Sequence, residues 1–238
     1  MDFEKTYLLG VGFTSLSERN ILEYIVKSLR KGVKKYYVVT PNPELLVIAA
    51  KQNAYKNVLN NAKIALPDGI GVLLASRLIG KPIEQRITGV DFMEDLCNEV
   101  SKRPITVGFL GGGPNVADTT ADCLEKKYPG LNVGFVSQEW SEDLKSKKID
   151  ILFVAFGSPK QELWIAENLK DIPATVAIGV GGAFDFISGK VPRSPKILRQ
   201  LGLEWLFRLI VQPWRIKRQF SLLMFVFLVL REKITTAI

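Results

Sequence analysis

Histidine is absent from the 238 residues, and that absence decides which side chains are open to chemistry. The commonest general base and the commonest metal ligand are both missing. Ser-His-Asp, Cys-His and His-metal mechanisms are therefore excluded, and proton abstraction falls to Asp, Glu, Lys, Tyr or a group on the substrate. The best-placed carboxylate is Asp68, in Leu66-Pro67-Asp68-Gly69-Ile70-Gly71. At the end of a short apolar run, such a turn projects an acid into the cleft that strand ends border; the same Asp also suits a plain turn or an N-cap. With no imidazole to compete, Asp68 is the natural base.

Other polar residues fall at similar places. Thr40 and Asn42 offer a hydroxyl and an amide for sugar hydroxyls or an N-acetyl group, or simply cap the helix that begins near Glu44. Gly111, Gly112 and Gly113 lie between a strand and a helix, where backbone amides favour phosphate. They do not complete G-x-G-x-x-G, because Val116 takes the third place. Gly10 and Gly12 are similarly incomplete, and read as a tight strand-to-helix turn or a nucleotide contact. Gln161 and Glu162 open a helix after an apolar strand, where Glu162 also serves as a favourable first-turn acid. Gly181 and Gly182 follow another strand. Arg86, in the connection 81–89, fits a phosphate ligand and a solvated surface charge equally well. No Asp-x-Asp pair and no His or Cys cluster is present to hold a divalent ion. We expect neither metal nor cofactor, so leaving-group charge falls to arginine, lysine and backbone amides.

The elements that must position these residues alternate. Apolar runs at 7–13, 35–40, 63–66, 105–110, 131–136, 149–156 and 174–180 read as strands, with helices over 17–31, 44–52, 71–79, 116–127 and from 160 to 169. Strands that are apolar throughout indicate a parallel sheet covered on both faces. The expected fold is α/β, Rossmann-like and mostly parallel, with a helical, basic C-terminal appendage. Five of the strands end in Gly-, Pro-, Asn- or Asp-containing loops, at 40–44, 67–69, 111–115, 157–162 and 179–185. In an open parallel sheet those ends share one edge, where ligands bind.

Charge separates the appendage from the body. Residues 1–189 carry 22 basic and 22 acidic side chains, whereas 190–238 carry 10 and 2. Lys196–Val211 reads as a helix with an apolar stripe, Pro213 breaks it, and Trp214–Gln219 mixes aromatic with basic side chains. The apolar run 220–230 is far short of the roughly 20 residues that span a bilayer. It suits a helix lying on an anionic membrane surface, or else one docked on the core or in a dimer interface; homo-oligomerisation stays open. Nucleic acid is not expected, since the aromatics sit among aliphatics. The acidic start, Met1–Thr6, shows no export signal. The two cysteines, Cys97 and Cys123, fit a reducing compartment. A dinucleotide-dependent oxidoreductase and a non-catalytic nucleotide-binding membrane module remain as other classes.

Five motifs in consistent order resemble the WecG/TagA/CpsF glycosyltransferases: Thr40-Pro41-Asn42-Pro43-Glu44, Leu66–Gly71, Gly157-Ser158-Pro159-Lys160-Gln161-Glu162, Gly179–Phe186 and Leu201–Arg208. The resemblance covers roughly residues 7–220 and is nearest to the TagA branch. It implies an inverting transferase that moves N-acetylmannosamine from a UDP-sugar donor to an undecaprenyl-diphosphate-linked sugar acceptor, in wall teichoic acid linkage-unit synthesis. Other family members transfer other hexoses or N-acetylmannosaminuronic acid. With the charge and apolar pattern of the tail, we expect residues 1–190 to be the nucleotide-sugar-binding catalytic domain and 191–238 a membrane-associating appendage, peripheral on the cytoplasmic face of the plasma membrane; the apolar end 220–230 lies outside the resemblance. The resemblance places the catalytic aspartate at Asp68, and substrate-binding residues at Thr40, Asn42, Arg86 and Gln161. Tail arginines are implied too, with Arg215 and Arg218 the best matches.

Overall fold

The computed structural model of the protein describes residues 3–30 and 33–236, with the side chains of Arg30, Lys217, Arg218 and Thr236 outside that description. The first apolar run is two strands. β1 (Lys5–Leu8) and β2 (Val11–Thr14) form an antiparallel hairpin, turned at Leu9 and Gly10, both with positive φ. Gly12 N–H donates to Asn60 Oδ1 at 2.9 Å, and Asn60 Nδ2 donates to Gly10 O at 2.9 Å. Gly10 and Gly12 therefore serve the hairpin and are not among the residues lining the cavity described below.

After α1 (Glu18–Arg30), the chain alternates through β3 (Tyr36–Val39), α2 (Pro43–Lys51), α3 (Asn53–Asn61), β4 (Ile64–Ala65), α4 (Ile70–Leu78) and α5 (Gly89–Val100). It continues with β5 (Thr106–Gly111), α6 (Val116–Lys127), β6 (Asn132–Ser137), β7 (Ile151–Ala155), α7 (Lys160–Asn168), β8 (Val176–Gly179) and α8 (Ala183–Ile187). The sequence signals for α3 and α5 passed unread. The six strands β3 to β8 form one parallel sheet in the order β4-β3-β8-β7-β5-β6.

Side chains alternate across that sheet with period two. Val38, Phe109, Ile151, Phe153, Val176 and Ile178 join one core with α1, α5, α6 and α8. Val39, Leu110, Leu152, Val154 and Ala177 join the other, with the hairpin, α2, α3, α4 and α7. The central strands are thus buried on both faces, which explains their unbroken apolar sequences.

The tail is segmented. α9 (Lys196–Gln200) and α10 (Glu204–Val211) replace the single helix expected there. Gly202 separates them at φ +74°, where an added Cβ would lie 2.6 Å from Ile70 Cβ, so a side chain is shut out sterically and conformationally. A 3₁₀ turn at Pro213–Arg215 leads to α11 (Ile216–Thr236). α11 packs on α2, burying Phe225 and Val229 in the second core. Glu232 accepts a 2.8 Å hydrogen bond from Leu9 N–H. Among the described residues no helix is long and apolar enough to cross a membrane.

Candidate active site

All five strand-end loops open onto one cavity of about 1480 Å³, which α10 and α11 border from the other side. After β3, Thr40 Oγ1 donates to Gly179 O at 3.3 Å, tying β3 to β8. Asn42 Oδ1 accepts from Leu45 N–H at 3.1 Å and caps α2. Both residues line the cavity, so capping and access to a ligand coexist.

Asp68 lies on the cavity wall, and its loop is pinned on both sides. Its N–H donates to Pro41 O at 3.1 Å, and Pro67 O accepts from Ile87 N–H at 3.0 Å. Burial and the nearby Glu204 carboxylate push its pKa up from 3.8 to about 7, against the pull of Arg86 and a hydrogen bond from the Gly89 amide. A carboxylate near neutrality, facing a cavity, is suited to proton abstraction. Arg86 also lines the cavity, and its Nη2 donates to Arg199 O at 2.8 Å. It binds the tail as well as facing the cavity.

Gly112 and Gly113 line the cavity and lead into α6, whose first amide, Val116 N–H, donates to Gly113 O at 3.0 Å. Gly111 itself is not among the lining residues. It has φ +109°, and an added Cβ would lie 2.8 Å from the Ala155 carbonyl carbon, so its place in the loop is conformational. A Cβ on Gly113 would meet Lys190 Nζ at 2.7 Å. An ammonium thus hangs over this turn, a cation that the sequence reading missed because it lies about 77 residues downstream.

Gln161 and Glu162 act from below. Gln161 Nε2 donates to Ser158 Oγ at 3.1 Å and to Glu162 Oε1 at 2.8 Å, while its Oε1 accepts from Gly181 N–H at 3.0 Å. Glu162 also accepts from Ser158 Oγ at 2.7 Å and from Tyr55 Oη at 3.1 Å. It is fully buried and is not a lining residue. Burial raises its pKa, and these hydrogen bonds oppose the rise. Of Asp68 and Glu162, Asp68 is half-buried on the cavity wall, whereas Glu162 is fully buried away from it. Gln161 holds the Gly181–Gly182 turn, and Glu162 holds Gln161.

That turn is roofed by the tail. Arg208 stacks on the Phe186 ring at 4.7 Å and lies 4.0 Å from Asp185. A Cβ on Gly182 would meet Arg208 Nη2 at 2.7 Å. Arg208 ends the last of the five motifs, yet sequence reading favoured Arg215 and Arg218. Arg215 also lines the cavity and donates to Gln212 Oε1 at 3.0 Å; the Arg218 side chain lies outside the described residues. Among the described residues, no group of three or more His, Cys, Asp or Glu is gathered to hold a metal ion.

Comparison with known proteins supplies the class. The sequence model of the Glycosyl transferase WecG/TagA/CpsF family matches residues 6–238. The chain belongs to this family. It is 36% identical over 231 residues to the N-acetylglucosaminyldiphosphoundecaprenol N-acetyl-beta-D-mannosaminyltransferase of Bacillus subtilis, covering 94% of this chain and 90% of that protein. The equally named protein of Bacillus spizizenii is 35% identical over 211 residues, 86% of this chain and 82% of the relative. That of Staphylococcus aureus is 30% identical over 237 residues, 96% and 93% respectively.

As a WecG/TagA/CpsF protein, the chain is a glycosyltransferase, and the Rossmann-like expectation holds. Glycosyl transfer asks for an acceptor to lose a proton while the leaving group gains negative charge. Asp68, Arg86 and Arg208 all line the cavity, which brings a carboxylate for the first task and guanidinium groups for the second into one space.

Proposed function

We propose that the protein transfers N-acetylmannosamine from UDP-N-acetylmannosamine to undecaprenyl-diphosphate-linked N-acetylglucosamine, with inversion and without a metal, in wall teichoic acid linkage-unit synthesis. The acceptor and the sugar are those named for the relatives, and the UDP donor follows from the family resemblance. The observation that carries the mechanism is Asp68, a cavity-facing carboxylate whose proton affinity lies near neutrality.

In a single displacement, the acceptor 4-hydroxyl oxygen forms the new bond to the anomeric carbon. The bond from that carbon to the UDP oxygen breaks, and UDP leaves with the electron pair. Asp68 takes the hydroxyl proton. The transition state has oxocarbenium character. Diphosphate charge is met by the Gly113 amide, by Arg86, and by Arg208 and Arg215 of the tail. Thr40 and Asn42 address sugar hydroxyls or the N-acetyl group.

Residues 1–190 bind the nucleotide sugar, and 191–238 bring the enzyme to its lipid substrate on the inner face of the plasma membrane. The support is a line of exposed side chains, Phe220, Leu223, Phe227, Leu230 and Ile234. They recur at three- and four-residue spacing on α11, away from the buried Phe225 and Val229. Basic residues among and beside them favour an anionic leaflet.

Asp68→Asn tests the core of this reading. UDP binding by titration calorimetry should persist while kcat falls by about 10² to 10⁴. Undiminished turnover would remove Asp68 from the mechanism. A donor screen with UDP-N-acetylmannosamine, its uronic acid and UDP-glucose fixes the sugar.

A further inference from the structure

Asp68 stands two residues ahead of α4, and that helix turns one face to the same cavity. Ile70, Leu74 and Leu78 all line it, and their four-residue spacing sets them in one row. At 1.5 Å per residue the row is about 12 Å long. Two of its members are exposed, Leu74 by 57% and Leu78 by 42%. Among the described residues, only Tyr7 and Val33 of the body are other large hydrophobic side chains so exposed. A paired apolar exposure on the wall of a catalytic cavity points to a ligand.

α11 supplies the second wall. A Cβ on Gly71 would lie 3.7 Å from Phe225 Cε1, so the two helices meet near the start of α4. Gln219, Leu222, Val226 and Val229 line the cavity at three- and four-residue spacing, with Arg215 one turn ahead. This face changes character along its length. Arg215 and Gln219 are polar, and the α11 lining residues beyond them are apolar. The stripe Phe220, Leu223, Phe227, Leu230 and Ile234 is absent from the lining, so it occupies a different side of the helix.

A cavity that is polar around a carboxylate and apolar along two helices fits a ligand of the same two-part design. Sugar and diphosphate gain nothing from leucine, whereas a hydrocarbon chain sheds water against it. We propose that the groove between α4 and α11 is the hydrocarbon subsite of the acceptor. It holds the isoprene units next to the diphosphate while the sugar end reaches Asp68. This rests on the proposed lipid-linked acceptor, which it deepens. The bilayer is a poorer occupant, because the groove opens on the catalytic cavity and the stripe already serves the leaflet. The two apolar sides of α11 then have separate uses: one meets the membrane, and the other takes the chain drawn from it.

The test is binding, free of turnover. Farnesyl diphosphate and methyl diphosphate share a headgroup and differ in hydrocarbon, and each is titrated calorimetrically into the full-length protein. The farnesyl compound should bind at least about tenfold more tightly. Leu74→Ser with Leu78→Ser should cut that ratio by at least about fivefold, and Val226→Ser on α11 should lower it too. All three side chains are exposed, so thermal melts should stay near the parent's. Phe220→Ser with Phe227→Ser should leave the ratio in place. Equal affinity for the two diphosphates overturns the inference, as does a ratio indifferent to Leu74→Ser with Leu78→Ser. A ratio lost through the stripe variant instead also overturns it, and assigns the chain to the leaflet-facing side. The donor screen separates the two claims. A ratio that follows the groove while no sugar is transferred keeps the subsite and sinks the proposed reaction.

Discussion

The sheet and the tail of this glycosyltransferase treat apolar side chains in opposite ways. Of the 18 large hydrophobic residues exposed among those described, 14 lie between Ile197 and Ile234, and only Tyr7, Val33, Leu74 and Leu78 belong to the body. The body buries what its strands and helices offer, so its own core stabilises it. The tail buries Phe225 and Val229, packs Leu228 against the same core, and leaves 14 large hydrophobic side chains exposed. It also carries the net charge of the chain. A fold that buries apolar area efficiently in one region does not leave a long apolar stripe in another without a use for it. On the proposed function the difference divides labour, with the body carrying Asp68 and the tail offering its exposed apolar side chains to the surface where a lipid-linked acceptor would reside.

If α11 is anchored by so few side chains, the comparison is most sharply strained at Phe225. Phe225→Ala removes a buried ring from the interface with α2 and should cost about 3–5 kcal/mol of docking or global stability. Hydrogen exchange would read the loss as deprotection of α11 while β5 and β7 stay protected. Uniform loss of protection across the sheet would show that tail and body fold as one unit, and the division drawn above would fail.

The exposed stripe should behave in the opposite sense. Phe220→Ser with Phe227→Ser removes two large apolar groups that touch no core, so thermal stability should change by less than about 0.5 kcal/mol. Partition onto vesicles rich in anionic phospholipid should fall by at least about tenfold, from the lost apolar transfer energy. Unchanged partition with a shift from dimer to monomer in sedimentation would assign the stripe to a second copy of the chain.

The same contrast explains what could be read from the sequence. β5, β7 and β8 were legible because a strand buried on both faces is apolar throughout. The five strand-end loops were legible from their Gly, Pro, Asn and Asp residues, and each one contributes to the cavity lining. The hairpin was not, because its turn begins at Leu9, a residue that carries no turn signal. α5 has a legible signal, Val90, Met93, Cys97 and Val100 at helical spacing behind the Thr88 cap, which the strand-centred reading passes over. The docking of Phe225, the place of Arg208 over Gly182 and the ammonium above Gly113 depend on contacts between distant segments, which no local pattern encodes. Asp68 was found by elimination, but its raised proton affinity comes first from burial and then from neighbours as remote as Glu204.

That altered affinity has a consequence for stability that is smaller than its catalytic effect and runs the other way. Between about 3.8 and about 7 the unfolded chain has released the Asp68 proton and the folded chain retains it. Stability contributed by this group therefore falls as pH rises through that window, and the deficit is complete above it. Asparagine keeps the acceptor oxygen for the Gly89 amide and carries no charge to desolvate. Asp68→Asn should thus be more stable than the parent at pH 8, by on the order of 1–2 kcal/mol after allowing for water in the cavity, and indistinguishable from it near pH 3.5. Thermal melts at the two pH values read this directly. Equal melting temperatures at pH 8 would mean that Asp68 ionises in the fold as freely as a surface acid. The wall of the cavity would then hold no poised base, and rigid chemistry in the body would lose its clearest sign.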